Sequence, residues 1–184
     1  HDTKAIGNFS TAWGYNSNAK GNYSTAFGYN SIAGGDNSLA AMGGTTRDGI
    51  ANIYAIGKGA FAGAENAIAF GNDANASGIS SISIGTGNIV SGDYSGAFGD
   101  PSVVTANKSY SFGNDNKIGK QEVEKDSSST YIYTVGHDNK VGLDGNAQDI
   151  YVLGGNVTKT INNSVFLGNG TAYEDKASIT GGVD

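Results

Sequence analysis

The chain is patterned by a short alternation of small and bulky residues that ends in glycine and recurs at a nearly constant interval. Clear copies are Ser24-Thr25-Ala26-Phe27-Gly28 and Ala67-Ile68-Ala69-Phe70-Gly71. The closing glycines are Gly14, Gly28, Gly43, Gly57, Gly71, Gly85, Gly99, Gly113, Gly136, Gly154 and Gly168. The interval is constant except for one extra residue before Gly43 and longer gaps before Gly136 and Gly154. A fixed period over most of a chain indicates one structural unit stacked on itself.

Each repeat contains the signals for two short strands. Strict alternation of small and bulky residues before the closing glycine predicts a β-strand with two different faces. About half a repeat later comes a second small-residue cluster, as in Ala19-Lys20-Gly21 and Ala76-Ser77-Gly78. Glycine and asparagine supply the positive-φ positions that tight turns require. The sequence therefore predicts an all-β fold, a flattened parallel β-solenoid or β-roll with coils of about 14 residues.

The two faces of the repeated strand carry side chains of different size. A roll this narrow has room for stacked Ala, Ser and Gly but not for stacked Phe and Trp, so we expect the bulky ladder outside the coil. Such a patch exceeds the few hundred Å² that a monomer usually exposes, and identical chains are the simplest cover. The alternative is a wider monomeric solenoid with this ladder in its own core. The predicted trimer-interface ladder is Trp13, Phe27, Met42, Ile56, Phe70, Ile84, Phe98, Phe112, Val135, Leu153 and Leu167.

Composition narrows the classes of protein further. The 184 residues include 30 glycines, one proline and no cysteine, which excludes collagen, a disulfide framework and thiolate metal sites. The formal net charge of −6 argues against a nucleic-acid partner. Since no apolar run approaches the length that a membrane-spanning helix needs, we predict no membrane-inserted segment in this chain.

The sequence offers no arrangement typical of catalysis or cofactor binding. His137 follows a closing glycine and is expected in a turn. No phosphate-binding glycine motif occurs in the required strand–helix context. Gly34-Gly35-Asp36 is like part of a calcium-binding nonapeptide roll, but that roll needs a period of nine, and this chain keeps fourteen. We therefore predict no enzyme activity, no catalytic residues, no cofactor and no metal.

The main break in the repeat predicts a surface loop. We expect regular coils over 8–113, an insertion at about 114–130 and coils again over 131–182, within one domain spanning 1–184. A smaller excess near Leu143-Asp144-Gly145-Asn146 lies about one coil away, so the two insertions could touch. Loops on rigid scaffolds often carry function, although a tolerated solvated insertion is the alternative. The candidate receptor-contact residues are Lys120, Gln121, Glu122, Glu124, Lys125 and Asp126.

The repeats resemble a known family. Ser24-Thr25-Ala26-Phe27-Gly28, Ala67-Ile68-Ala69-Phe70-Gly71 and Ser164-Val165-Phe166-Leu167-Gly168 are similar to the head repeats of YadA-like trimeric autotransporter adhesins, and the likeness extends roughly over residues 4–182. It implies a left-handed parallel β-roll in an intertwined homotrimer whose bulky ladder faces the three-fold axis. The aromatic residues in that ladder depart from the family's usual Ile and suggest a wider inter-chain core.

The resemblance also implies a function. Members of the family are displayed on the outer membrane of Gram-negative bacteria and attach to host cell-surface receptors or extracellular-matrix proteins. We expect the same here, with the membrane anchor in regions outside this chain. The alternative is a structural spacer of the surface fibre, with binding located elsewhere. A carbohydrate-active β-helix enzyme would need acidic side chains at a common repeat phase, which the sequence lacks.

Overall fold

The computed structural model describes residues 2–121 and 125–174. The regular structure of these residues consists of short β-strands joined by turns. In chain order the strands are β1 Lys4–Ala5, β2 Thr11–Trp13, β3 Asn18–Ala19, β4 Thr25–Phe27, β5 Ile32–Ala33, β6 Leu39–Ala41, β7 Thr45–Thr46, β8 Tyr54–Ile56, β9 Phe61–Ala62, β10 Ile68–Phe70, β11 Asn75–Ala76, β12 Ile82–Gly85, β13 Ile89–Val90, β14 Gly96–Gly99, β15 Val103–Val104, β16 Ala106–Asn107, β17 Tyr110–Asn114, β18 Lys117–Ile118, β19 Asp126–His137, β20 Lys140–Val141, β21 Gln148–Gly155 and β22 Ser164–Leu167.

The strands form two parallel sheets that are stacked coil upon coil. Sheet 1 has 12 strands in the order β2-β4-β6-β8-β10-β12-β14-β17-β19-β21-β22, with β16 paired to β19. Sheet 2 has 10 strands in the order β1-β3-β5-β7-β9-β11-β13-β15-β18-β20. Neighbouring strands pair residues one repeat apart, such as Ile68 with Ile82 and Asn75 with Ile89. This is a parallel β-solenoid, and it confirms the predicted fold class.

The central inward position of most sheet 1 strands holds a small side chain, whereas Ile53, Val90 and Val104 are larger buried residues elsewhere in these coils. Ala26, Ala55, Ala69, Ser83 and Ala97 stand at the centre of successive sheet 1 strands, and each is fully buried. The alternating neighbours of these residues point out of the coil, because successive side chains of a strand face opposite ways. The predicted assignment of the two faces is therefore confirmed for a single chain.

The interior widens towards the C-terminal end, where the expectation of a uniformly small core is wrong. Ile132 and Ile150 are buried in sheet 1, and Ile118 is buried opposite them in sheet 2. Phe166, only 8% exposed, takes the inward place that Ala holds in earlier coils. The sheet 1 strands that carry Ile132 and Ile150 are also longer than those before them, with 12 residues in β19 and 8 in β21.

Most of the closing glycines are required by close approach of the backbone of the next coil. At Gly71, φ is +132°, and a Cβ atom would lie 2.0 Å from the carbonyl oxygen of Gly85 in the next coil. Any side chain there would therefore push adjacent coils apart. This contact explains why the repeat ends in glycine rather than in another small residue.

A column of buried asparagines satisfies the backbone at one corner of the later coils. Asn88, Asn116 and Asn139 are fully buried, and the amide nitrogen of Asn116 donates to the carbonyl oxygen of Gly136 at 2.9 Å. The backbone N–H of Asn139 donates to the Asn116 side-chain oxygen at 3.1 Å. Each of these asparagines thus ties one coil to the next.

The insertion that leaves the solenoid is shorter than the predicted 114–130. Lys117–Ile118 form β18 in sheet 2, with Ile118 buried, and β19 already begins at Asp126. Residues 117–118 and 126–130 of the predicted insertion therefore belong to sheet strands. Residues of the two predicted insertions do touch, although Ser128 and Ser129 belong to β19: the N–H groups of Asn146 and Ala147 donate to the hydroxyls of Ser128 and Ser129, each at 3.1 Å.

Candidate functional site

The outer face of sheet 1 carries many exposed apolar side chains. Trp13 is 69% exposed, Phe70 is 50% exposed and Leu153 is 58% exposed. The parallel register places these ladder residues directly above one another, for instance Ile56, Phe70 and Ile84. The ladder therefore forms one continuous apolar column along the solenoid. The ladder residues that lie in this column are Trp13, Phe27, Ile56, Phe70, Ile84, Phe98, Phe112, Val135, Leu153 and Leu167.

Met42 is displaced from this column, contrary to its predicted place in the ladder. Ala41 pairs with Phe27 on one side and with Ile56 on the other, so Ala41 occupies the ladder position. Met42 takes the place of a closing glycine, with φ at +56° and its N–H donating to the carbonyl oxygen of Phe27 at 2.9 Å. The one extra residue of this repeat thus shifts the bulky side chain out of register.

Aromatic rings stack along the ladder and along a second column beside it. Phe98 and Phe112 are 4.8 Å apart with an interplanar angle of 3°. In the second column, Tyr133 stacks on Tyr151 at 5.1 Å and on Tyr110 at 5.9 Å. Burial raises the pKa of Tyr133, and the phenols of Tyr151 and Tyr110 raise it further. Because the rings stack within one chain, their positions are already set before a partner binds.

The turns that flank sheet 1 carry further exposed rings in the first two coils. We call the turns before the sheet 1 strands the leading edge and the turns after them the trailing edge. Phe9 and Tyr23 stack at the leading edge, with ring centroids 5.3 Å apart. Tyr15 and Tyr29 stack at the trailing edge at 5.5 Å. Sequence reasoning missed these residues, although Phe9 and Tyr23 stand in the same place in consecutive repeats.

Asp126 anchors the insertion and is not presented to solvent. Only 3% of this residue is exposed, and its carboxylate accepts hydrogen bonds from the N–H groups of Lys120 at 2.9 Å, Ser128 at 3.0 Å and Ser129 at 3.2 Å. Burial acts to raise the pKa of Asp126, but the hydrogen bonds from Ser128, Ser129 and Lys120 outweigh it and lower the pKa. The predicted receptor-contact role therefore does not fit this residue.

The other candidate residues of the insertion fall into two groups. Lys120 and Lys125 are exposed, and Gln121 is half-buried. The Lys125 ammonium lies 2.7 Å from the carboxylate of Asp93, which ties the end of the insertion to a turn two coils away. Glu122 and Glu124 lie outside the described residues.

An open groove runs over the outer face of sheet 2 beside the insertion. Its volume is about 840 Å³, and Phe61, Ile89 and Val103 are among the residues that line it. Arg47, Lys125 and the Asp93 carboxylate that pairs with Lys125 also line the groove. The groove therefore combines apolar and charged side chains on the face of the solenoid opposite to the ladder.

The His, Asp and Glu side chains of the described residues do not form a metal site. The His137 imidazole lies 2.9 Å from the Asp138 carboxylate, and both side chains are exposed. Across residues 2–121 and 125–174, no three His, Asp or Glu side chains converge as metal ligands would. In the same ranges, no helix has the length and apolar character needed to cross a bilayer.

Comparison with known proteins agrees with the coil architecture. The family model of the YadA head domain repeat, which spans two copies, matches residues 5–31, 19–41, 54–74 and 76–102. A search of the curated proteins gave no match. The matched ranges coincide with the coils whose sheet 1 strands are β2 to β14. The chain therefore contains a YadA-like head domain of the adhesin-type surface proteins, with family repeats between residues 5 and 102.

Proposed function

We propose that this chain is the head of a bacterial surface adhesin that assembles as a homotrimer and attaches to a host receptor or extracellular-matrix protein. The observation that carries the proposal is the apolar column on the outer face of sheet 1, which runs from Trp13 to Leu167. Three such faces turned towards a common axis would bury one another. In this assembly, the outer membrane anchor belongs to regions outside the chain.

The energetics favour association through this face. Burying a large apolar side chain stabilises by about 1.5–3 kcal/mol relative to leaving it exposed. The ladder side chains already stack within one chain, so little rotamer freedom is lost when a partner covers them. A continuous apolar surface that lacks charged side chains is typical of an obligate interface. Met42, which lies outside the column, contributes least of the predicted ladder residues.

The receptor would then meet the surfaces that remain outside such a trimer. The insertion and the sheet 2 groove lie next to each other, since Gln121 and Lys125 belong to both. Lys120, Gln121 and Lys125 are the contact residues that the geometry supports. Asp126 has a different role, because it holds the base of the insertion in place. The protein acts by binding, and the absence of enzyme activity remains a prediction.

The test uses a triple variant with a matched control. Lys120→Ala, Gln121→Ala and Lys125→Ala together should weaken binding of the purified head to epithelial cells or matrix proteins, with the trimer mass unchanged. The control is Lys4→Ala with Lys159→Ala, two exposed lysines that do not line the groove. Unchanged binding by the triple variant would contradict the contact surface. Failure of the unmodified head to bind any host protein would favour the spacer function.

A further inference from the structure

Aromatic residues occur on both edges of sheet 1 in the same two coils. At the leading edge these are Phe9 and Tyr23, which are 81% and 62% exposed. At the trailing edge they are Tyr15 and Tyr29, which are 53% and 65% exposed. In the next four coils the same places hold small, polar or charged residues on both edges together. At the leading edge these are Asn37, Asn52, Asn66 and Ser80, and at the trailing edge Gly43, Lys58, Asn72 and Thr86. Further along, Tyr94 and Tyr131 stand at the leading edge opposite Asp100 and His137.

The leading-edge rings are held in a backbone conformation that bulky residues rarely adopt. Phe9 has φ at +56° and Tyr23 has φ at +55°, and Tyr94 and Tyr131 adopt the same conformation at the leading edge of later coils. Asn37, Asn52 and Asn66 have the same conformation in later coils, and asparagine tolerates it far better than an aromatic residue does. The aromatic residues are therefore unfavourable for the isolated turn. Strain of this kind is retained where another interaction compensates for it.

Three-fold symmetry determines what each edge would meet. In a cyclic trimer the contacts are heterologous, so the leading edge of one chain lies against the trailing edge of the next. The two edges of a coil flank the same strand, so they stand at nearly the same height along a common axis. Aromatic pairs on the two edges of the same coils would then face each other around the ring of chains.

We propose that Phe9 and Tyr23 of one chain pack against Tyr15 and Tyr29 of the next copy of this chain, forming an aromatic clamp at each of three inter-chain seams. The inference rests on the proposed trimer and adds a second contact to the axial ladder. Exposed rings at both edges become buried in one step, which compensates for the strained turns. The clamp lies in the first coils and fixes chains in the same register at that end.

In a later coil the two edges of sheet 1 carry opposite charges. Lys108 stands at the leading edge, and Asp115 stands at the trailing edge of the same coil. Lys108 donates to the Tyr131 hydroxyl at 3.0 Å and lies 5.1 Å from the centre of that ring, so its ammonium is directed along the leading edge. Opposite charges on facing edges favour the parallel, in-register arrangement that the clamp requires.

Cross-linking tests the clamp directly, because the chain contains no native cysteine. The double variant Tyr23→Cys with Tyr29→Cys, treated with a short bismaleimide, should give covalent dimers and trimers on a denaturing gel. The single variants should stay monomeric on the gel, since a thiol on one edge finds none on the facing edge. A control pair on sheet 2, Lys20→Cys with Ile89→Cys, should also give no inter-chain product.

The outcomes separate the clamp from the trimer itself. A trimer by light scattering whose double variant gives no inter-chain product would overturn the clamp and leave the trimer intact. A monomer by light scattering would overturn the proposed assembly and the clamp with it. As a second readout, Phe9→Asn with Tyr23→Asn should raise the concentration for half-assembly at least tenfold. Unchanged assembly of that variant would also count against the clamp.

Discussion

The substitution Phe70→Asp should destabilise the trimer far more than it destabilises the fold of a single chain. The Phe70 side chain is half exposed in the single chain, between Ile56 and Ile84 of the adjacent coils. Ala69, on the opposite side of the same strand, fills the coil interior and is untouched by the change. Phe70→Asp therefore alters the outer face of sheet 1 and leaves the interior packing of the coil as it is.

The expected free-energy cost of Phe70→Asp is small in the isolated chain and large in the trimer. Full burial of a phenylalanine is worth about 1.5–3 kcal/mol, so losing a half-buried one costs the isolated coil about 1 kcal/mol. In the trimer, three carboxylates would converge at one level of the axis without cationic partners. Burying an unpaired charge costs several kcal/mol even after relaxation, in addition to the lost apolar burial. We therefore expect Phe70→Asp to abolish the trimer.

The assay is light scattering combined with thermal unfolding followed by circular dichroism. Phe61→Asp is the matched control, because Phe61 lies on the outer face of sheet 2 and lines the groove there. The control should keep the trimer mass. If Phe70→Asp formed a trimer with an unchanged melting temperature, the ladder would not be the interface, and the reasoning from exposed apolar surface would be refuted.

Three further predictions concern the coil itself. Gly71→Ala should lower the free energy of unfolding by more than about 1 kcal/mol, because Cβ meets the Gly85 carbonyl in a positive-φ turn; denaturant titration measures it, and an unchanged midpoint would be inconsistent with the close approach. Asn116→Ala should cost about 1–3 kcal/mol by leaving buried backbone groups without partners, measured the same way; a loss below about 0.5 kcal/mol would argue against the asparagine column. Since the pKa of Asp126 is lowered on folding, its contribution to stability is complete above the ordinary value of about 3.9 and disappears as pH falls through the folded pKa. The stability difference between the unmodified protein and Asp126→Asn should therefore shrink below about pH 4, and a difference independent of pH would contradict the anchoring role.

The repeat made most of the fold predictable, because its period sets the coil and its alternation sets the faces. The same reasoning misplaced Met42, since it counted from the closing glycine rather than from the strand. In the structure, hydrogen bonding sets the register: Met42 donates to Phe27 in the way that Gly28 donates to Trp13. One inserted residue is enough to make the position counted from the closing glycine differ from the position set by hydrogen bonding.

The sequence predicts too long an insertion, because the gap between closing glycines and the charged composition give only its approximate place. Charged residues after Gly113 indicated a loop, whereas Asn116 and Ile118 keep their places in the coil. A positional signal was present: the third residue after a closing glycine is asparagine or serine in many repeats, including Ser17, Ser31, Asn88, Ser102, Asn116 and Asn139. Counting that position would have kept 114–118 within the solenoid. The stacked edge rings depend on turn geometry, which composition does not reveal.

The molar mass in solution tests most directly whether the exposed ladder joins copies of this chain. Light scattering on the purified 18.7 kDa chain should give a single species of three times that mass at micromolar concentration. A stable, monodisperse species of 18.7 kDa would contradict the claim that the ladder joins copies of the chain.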